Sequence, residues 1–276
     1  MKWIGKILGC AFGFLTGGPL GAILGAAVGH QFDTGGERLG HSGPFFQKGA
    51  QHQVQMAFFT ATFSVMGHLA KADGQITQEE INLANTIMDK MDLPDDMRKT
   101  ARNLFNEGKK TNFPLDRALE QLRAECHRSS SLLRMFLEIQ LQAAYADGQL
   151  HPEEERLLLR ISDRLRFSRF EYQRLRAILE AQARFSGSWS GAAGAGSRYS
   201  RTSIRRPNLS DAYGVLGLKP KASNAEVKRA YRRLISQHHP DKLVAKGLPE
   251  EMMKIATEKT QQIQKAYDLI RNERKM

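Results

Sequence analysis

The sequence predicts an all-α protein: a single N-terminal transmembrane helix, a helical bundle with an internal repeat, and a C-terminal helical hairpin. Three observations carry this expectation. An uncharged, glycine-rich stretch opens the chain. Apolar positions then follow a helical period through residues 54–184, with no strand alternation. A basic, two-faced segment running into His239-Pro240-Asp241 lies near the end. The expected divisions are 1–32 for the anchor, 50–184 for the bundle, 185–207 for a linker and 208–276 for the terminal unit.

Ile7 to Gly29 gives 23 residues without a charge, after Lys2 and Lys6 and before His30 and Asp33. As a helix this stretch spans about 34 Å at roughly 1.5 Å per residue, enough for a hydrocarbon core of about 30 Å. A cleaved signal peptide has a shorter apolar core and a small-residue cleavage site, so a retained single-pass anchor is the better reading. Glycine recurs at Gly5, Gly9, Gly13, Gly17, Gly21, Gly25 and Gly29. A four-residue step keeps these on one slowly drifting face. Small residues on such a face let two membrane helices approach closely, so a homodimer through this segment is expected. Pro19 is expected to kink it. Lys2 and Lys6 on one side are matched by Arg38 and Lys48 on the other, so flanking charge leaves the orientation open.

Composition narrows the function classes. A net charge of +12, from 41 Lys+Arg against 29 Asp+Glu, suits an acidic protein, nucleic acid or anionic lipid without choosing among them. Two cysteines, Cys10 and Cys126, are too few for a disulfide framework or a cysteine-rich metal site. The eight histidines show no paired metal spacing, so neither a metal nor a cofactor is expected. No nucleophile–base pair or phosphate loop supports an enzyme. No aromatic platform supports nucleic-acid binding.

In the middle of the chain, Phe59, Phe63, Met66 and Leu69, and later Leu132, Met135, Phe136 and Ile139, mark helical faces. Helix starts are signalled by Thr77 with Glu80, by Ser168 with Glu171, and by Pro152 at a first helical position. Ala72-Asp73-Gly74-Gln75 returns as Ala146-Asp147-Gly148-Gln149 at an offset of 74 residues, aligning Phe63 with Leu137 and Ile87 with Ile161. A calcium loop ending at Glu80 would place Leu69 and Lys71 at its first and third ligand positions, and the second copy Ala143 and Tyr145. Those residues lack the carboxylates required, so Asp73 and Asp147 are expected to bond local backbone. The arrangement resembles the TerB-like helical domain, which implies an all-α fold and no particular chemistry.

Phe185 to Pro207 is rich in Gly, Ser and Ala, with Arg198, Arg201, Arg205 and Arg206 interspersed, and is expected to be a flexible tether. Beyond it, Ser210 is expected to cap a short helix ended by Gly217. Ser223 and Glu226 form a capping box for a second helix reaching His238. That helix sets Val227, Tyr231, Leu234, Ile235 and His238 against Lys228, Arg229, Arg232 and Arg233. His239, preceding a proline, ends it. A third helix is expected from about Glu250 to Arg271, with Ile263, Ala266, Tyr267 and Ile270 facing inward.

Asp211-Ala212-Tyr213, the basic helix, His239-Pro240-Asp241 and Lys265-Ala266-Tyr267, in this order, resemble a J-domain. With the glycine-rich anchor and the TerB-like middle, the chain resembles membrane-anchored DnaJ-like co-chaperones over nearly its full length. The resemblance implies that His239, Pro240 and Asp241, with Lys228, Arg229, Arg232 and Arg233, bind a DnaK-type chaperone and stimulate its ATP hydrolysis. It also implies a bacterial inner-membrane location with the C-terminal domains in the cytoplasm, where that partner and ATP reside. Residues 209–276 carry 14 Lys+Arg against 8 Asp+Glu, which suits steering of an acidic surface. A dimeric membrane scaffold or stress sensor that uses the J-domain only as effector is the alternative.

Overall fold

The computed structural model describes residues 13, 18–23, 50–72, 82, 85–89, 93–127, 129–145, 150–186 and 208–276. Among them every regular element is helical. The bundle comprises α1 (Ala50–Leu69), α2 (Asp95–Gly108), α3 (Leu115–Glu125), α4 (Ser130–Ala144), α5 (Pro152–Arg164) and α6 (Arg169–Phe185). The C-terminal unit comprises α7 (Leu209–Val215), α8 (Asn224–His238), α9 (Pro240–Val244), a 3₁₀ turn (Glu250–Met252) and α10 (Met253–Arg274).

Helix α1 is the axis of the bundle, packing against α2, α3, α4 and α5. Residues 57–67 are buried on every face, so the helical period in this stretch marks only part of the core. Three hydroxyl residues share that burial: Thr60, Thr62 and Ser64. The Thr62 and Ser64 hydroxyls donate back to the Phe58 and Thr60 carbonyls, each at 2.7 Å, so those two are not left unpaired in an apolar interior. Helices α1 and α2 touch through glycine. A Cβ on Gly67 would lie 1.9 Å from the Phe105 carbonyl oxygen, and one on Gly108 1.7 Å from that of Ser64.

The repeat is expressed as equivalent burial: Phe63 and Leu137, and Ile87 and Ile161, all sit in one core. Asp73, Asp147 and the Thr77–Glu80 pair lie outside the described residues. The Ser168–Glu171 capping box forms, each partner bonding the other's backbone N–H. Pro152 opens α5, and the Glu154 carboxylate reaches back to the His151 N–H at 3.0 Å.

Most of the expected anchor lies outside the described residues, and so do Gly5, Gly9, Gly17, Gly25 and Gly29. Among the described residues no helix is long and apolar enough to cross a membrane. Gly13 and the helical residues 18–23 correct the expectation of one continuous helix. Gly18 has φ +61°, in the left-handed region. A Cβ on Gly13 would stand 2.0 Å from the Gly21 carbonyl oxygen, whereas eight residues of straight helix separate two such groups by about 12 Å. Two members of the glycine stripe therefore meet within one chain. The Leu20 N–H donates to Gln121 Oε1 at 2.7 Å, and Leu20 and Ile23 join the bundle core.

In the C-terminal unit the short first helix is capped two residues earlier than expected, by Asn208, whose Oδ1 accepts from the Ser210 N–H at 3.1 Å. Asn and Ser are comparable caps, and local sequence does not choose between them. Gly217, at φ +66°, follows the end of that helix as expected. The Ser223–Glu226 box forms. Helix α9 was not expected, because Pro240 reads as a stop for α8. With its φ already set, it is also a good first residue for the next helix. The last helix runs to Arg274, three residues past the expected end.

The anticipated separation of bundle and terminal unit is the main point of difference. Leu243, Leu248, Met252, Ile255 and Ala256 belong to the same buried cluster as the bundle, while Ala181 of α6 belongs to the cluster built by α7, α8 and α10. Residues 187–207 lie outside the described residues.

Candidate functional site

The site begins with the end of α8. Its capping box fixes the start and its apolar face packs inward: Val227, Ala230, Leu234 and His238 are buried. Tyr231 and Tyr267, on the facing helices α8 and α10, stack at 4.1 Å between ring centroids. With that face fixed, Lys228, Arg229, Arg232 and Arg233 are all left exposed on the other side.

His239 adopts an extended backbone (φ −60°, ψ 122°), and Pro240 starts α9. Asp241, in its first turn, is the exposed carboxylate of this loop, with 85% of its side chain accessible. His239 Nδ1 lies 3.9 Å from Asp241 Oδ2, too far for a hydrogen bond. The Lys242 ammonium donates to Ser236 Oγ at 3.0 Å, tying α9 back onto α8. His239, Pro240 and Asp241 thus form a corner at the end of α8 with one exposed carboxylate, and the four cations lie exposed along the helix that leads to it.

Immediately beneath this corner is a cluster the sequence reading missed. Glu138 of α4, Lys259 of α10 and His238 are buried together. The Lys259 ammonium pairs with Glu138 Oε2, and His238 Nε2 lies 3.6 Å from Glu138 Oε1. Burial alone would raise the Glu138 carboxyl, but Lys259, then His238, outweigh it and hold it below the ordinary range. Burial pushes the His238 imidazole down, against the opposing pull of Glu138. The available signal was Lys259 itself. It falls on the apolar stripe of α10 with Ile255, Ile263, Ala266 and Ile270. Its partner is 121 residues away in sequence and could not be named from spacing.

Residues 59–177 match the family of tellurite resistance protein TerB, residues 211–276 the DnaJ domain, and residues 1–41 the Co-chaperone DjlA transmembrane domain. Co-chaperone protein DjlA of Coxiella burnetii is 45% identical over 280 residues, covering 100% of both chains. Its counterpart in Photorhabdus laumondii is 46% identical, and that of Escherichia coli K12 43%, each covering 99% of both chains. The chain belongs to the DjlA co-chaperone family. No solved structure matches it.

Family membership makes this DjlA relative a membrane-anchored co-chaperone with a J-domain, a role that implies a DnaK-type partner and no enzymatic reaction of its own. Cys126 is buried, and burial, then Glu125, push its thiol up to about 12.

Proposed function

We propose that this DjlA-family chain binds a DnaK-type chaperone through its J-domain and stimulates that chaperone's ATP hydrolysis at the bacterial inner membrane. The observation that carries the reading is the exposed Asp241 carboxylate, held on the corner between α8 and α9 at the end of a helix that carries four exposed cations. Lys228, Arg229, Arg232 and Arg233 steer an acidic surface toward the loop, and Asp241 pairs with a cation on the partner once it has arrived. His239 and Pro240 hold the loop. ATP is consumed by the partner, and no cofactor is needed here.

The test is steady-state ATP hydrolysis by the chaperone with the full chain in detergent micelles. Asp241→Asn keeps the side-chain volume and removes the charge. Losing a charge-assisted contact worth about 1.5–3 kcal/mol predicts roughly ten- to hundredfold weaker stimulation. Equal stimulation by Asp241→Asn, or none by the wild-type chain, sinks the reading.

Because the partner and its ATP are cytosolic, the C-terminal domains face the cytoplasm in this reading. A reporter active only outside the inner membrane, fused after Met276, stays silent; a signal from it would overturn the orientation. Self-association of two anchors completes the reading; because Gly13 and Gly21 meet within one chain, it rests on the later glycines of the four-residue step, Gly25 and Gly29.

A further inference from the structure

Where α4 and α6 of the bundle face α8 of the J-domain, a crevice of about 190 Å³ is lined by three arginines, Arg134, Arg174 and Arg233, one from each helix. Two carboxylates also line it, and both are already engaged. Glu138 is buried against Lys259, and Glu171 accepts from the Ser168 N–H and hydroxyl as a cap. Arg134 lies over the Phe167 ring at 5.9 Å and feels Glu138 and Glu171 only through space, with both of those carboxylates bonded elsewhere. Two polar side chains of the lining, Gln182 and His238, are only 7% and 5% exposed. Their Oε1 and Nδ1 atoms have no hydrogen-bond partner. At the rim, Phe170 stands 73% exposed.

Three guanidinium groups around one small space repel one another, and Arg233 registers it: burial, then Arg174 and Arg134, disfavour its charged form. Such a grouping is stabilised when a carboxylate enters, because the planar fork of arginine matches it. In the larger cleft of about 420 Å³ beside α5, three of the five Lys and Arg residues that line it, Lys110, Arg156 and Arg160, are instead paired with carboxylates.

We propose that this crevice is a second half of the chaperone-docking surface. It receives an acidic segment of the DnaK-type partner, so that the TerB-like bundle and the J-domain bind that partner jointly. The assignment rests on the function proposed above and on continuity. Arg233 belongs both to the crevice and to the basic face of α8, so a partner lying along that face reaches Arg174 and Arg134 without leaving the surface. Phe170 gives the acidic segment an apolar rim contact.

The experiment titrates the full chain, in detergent micelles, against the ATPase activity of the chaperone. Arg174→Glu is expected to raise the concentration for half-maximal stimulation about tenfold or more, while the maximum, set by Asp241, stays at the wild-type level. Phe170→Ser shifts it in the same direction. Arg117→Glu, an equal charge change at an exposed position of α3, leaves it unchanged. An unaltered melting curve for Arg174→Glu shows that the fold is kept, and Arg174→Gln repeats the test without charge reversal. An Arg174→Glu titration superimposable on wild type overturns the proposal, as does an equal shift from Arg117→Glu. So does a loss of binding to anionic lipid vesicles with the chaperone titration unchanged, which would place a membrane in the crevice. A wild-type chain that does not stimulate at all defeats the proposed function itself. Stimulation that depends on Asp241 but not on Arg174 defeats the crevice alone.

Discussion

Glu138 shows how much a single buried residue decides in this chain. Its carboxylate holds the Lys259 ammonium from across the junction, with both groups 5% exposed at the side chain. Glu138→Gln keeps the shape and removes the charge, leaving an ammonium buried without a counterion, a change that costs about 3–5 kcal/mol. The local consequence is faster hydrogen exchange in α4 and in the first half of α10 around Lys259, with the Tyr231–Tyr267 end of α10 still protected. The double change Glu138→Leu with Lys259→Met removes both charges and restores protection; failure to do so means the pair is not what holds the junction. The pH dependence has a definite direction. Glu138 is held below its ordinary 4.5, so its contribution is complete above that pH and is lost as the pH falls through the lowered value. His238 is held below 6.5, so it too favours the folded form above that pH and withdraws support below it. Protection at the junction is therefore expected to fall on acidification from pH 6.5 and to be flat between pH 7 and 8. Asp241 was legible because a short motif followed a patterned helix. Glu138 was not, because it reads as one among several polar residues of α4, with nothing in the sequence to single it out.

Elements were legible where local chemistry specifies them. The boxes at Ser168–Glu171 and Ser223–Glu226 are contained in four consecutive residues, and both form as expected. Helix α9 escaped because one residue, Pro240, serves as the stop for one helix and the start of the next. The N-terminal segment escaped for a different reason. A four-residue glycine step describes a face without saying whether that face is met by another chain or by the same one. Gly13 and Gly21 are already in close approach within the chain, so leucine at either would clash with a backbone carbonyl and disturb the fold directly. A test of self-association therefore belongs at Gly25 and Gly29, which lie outside the described residues. Gly25→Leu with Gly29→Leu fills the face and preserves hydrophobicity, so insertion is kept and crosslinking between copies falls severalfold. Undiminished crosslinking shows that these glycines do not pair two anchors.

At the scale of the whole molecule, composition suggested two units on a string, and the structure joins them. A Gly- and Ser-rich stretch between periodic segments reads as a tether, because nothing in it predicts a contact. The contacts lie instead in residues that look like ordinary J-domain core: Leu243, Leu248, Met252 and Ile255 bury themselves against the bundle. Around them, Gln51 Nε2 donates to the Val244 carbonyl at 3.2 Å, and Lys246 Nζ to Ser131 Oγ at 3.3 Å. Arg184 pairs with Asp211 at 3.1 Å where α6 meets α7. Four buried aliphatic side chains contribute roughly 1.5–3 kcal/mol each before ordering costs, which is enough to hold the unit in place without a covalent link. A protease site inserted after Gly194 makes this measurable in the full chain in detergent micelles. After cleavage, the C-terminal fragment is expected to co-elute with the anchored bundle on size exclusion. Glu138→Gln, which strands Lys259 in the same junction, is expected to release it. Prompt separation of the wild-type fragments would mean that the tether, and not the shared core, keeps the J-domain beside the bundle. The docking surface shared by α6 and α8 would then have no fixed geometry on which to act.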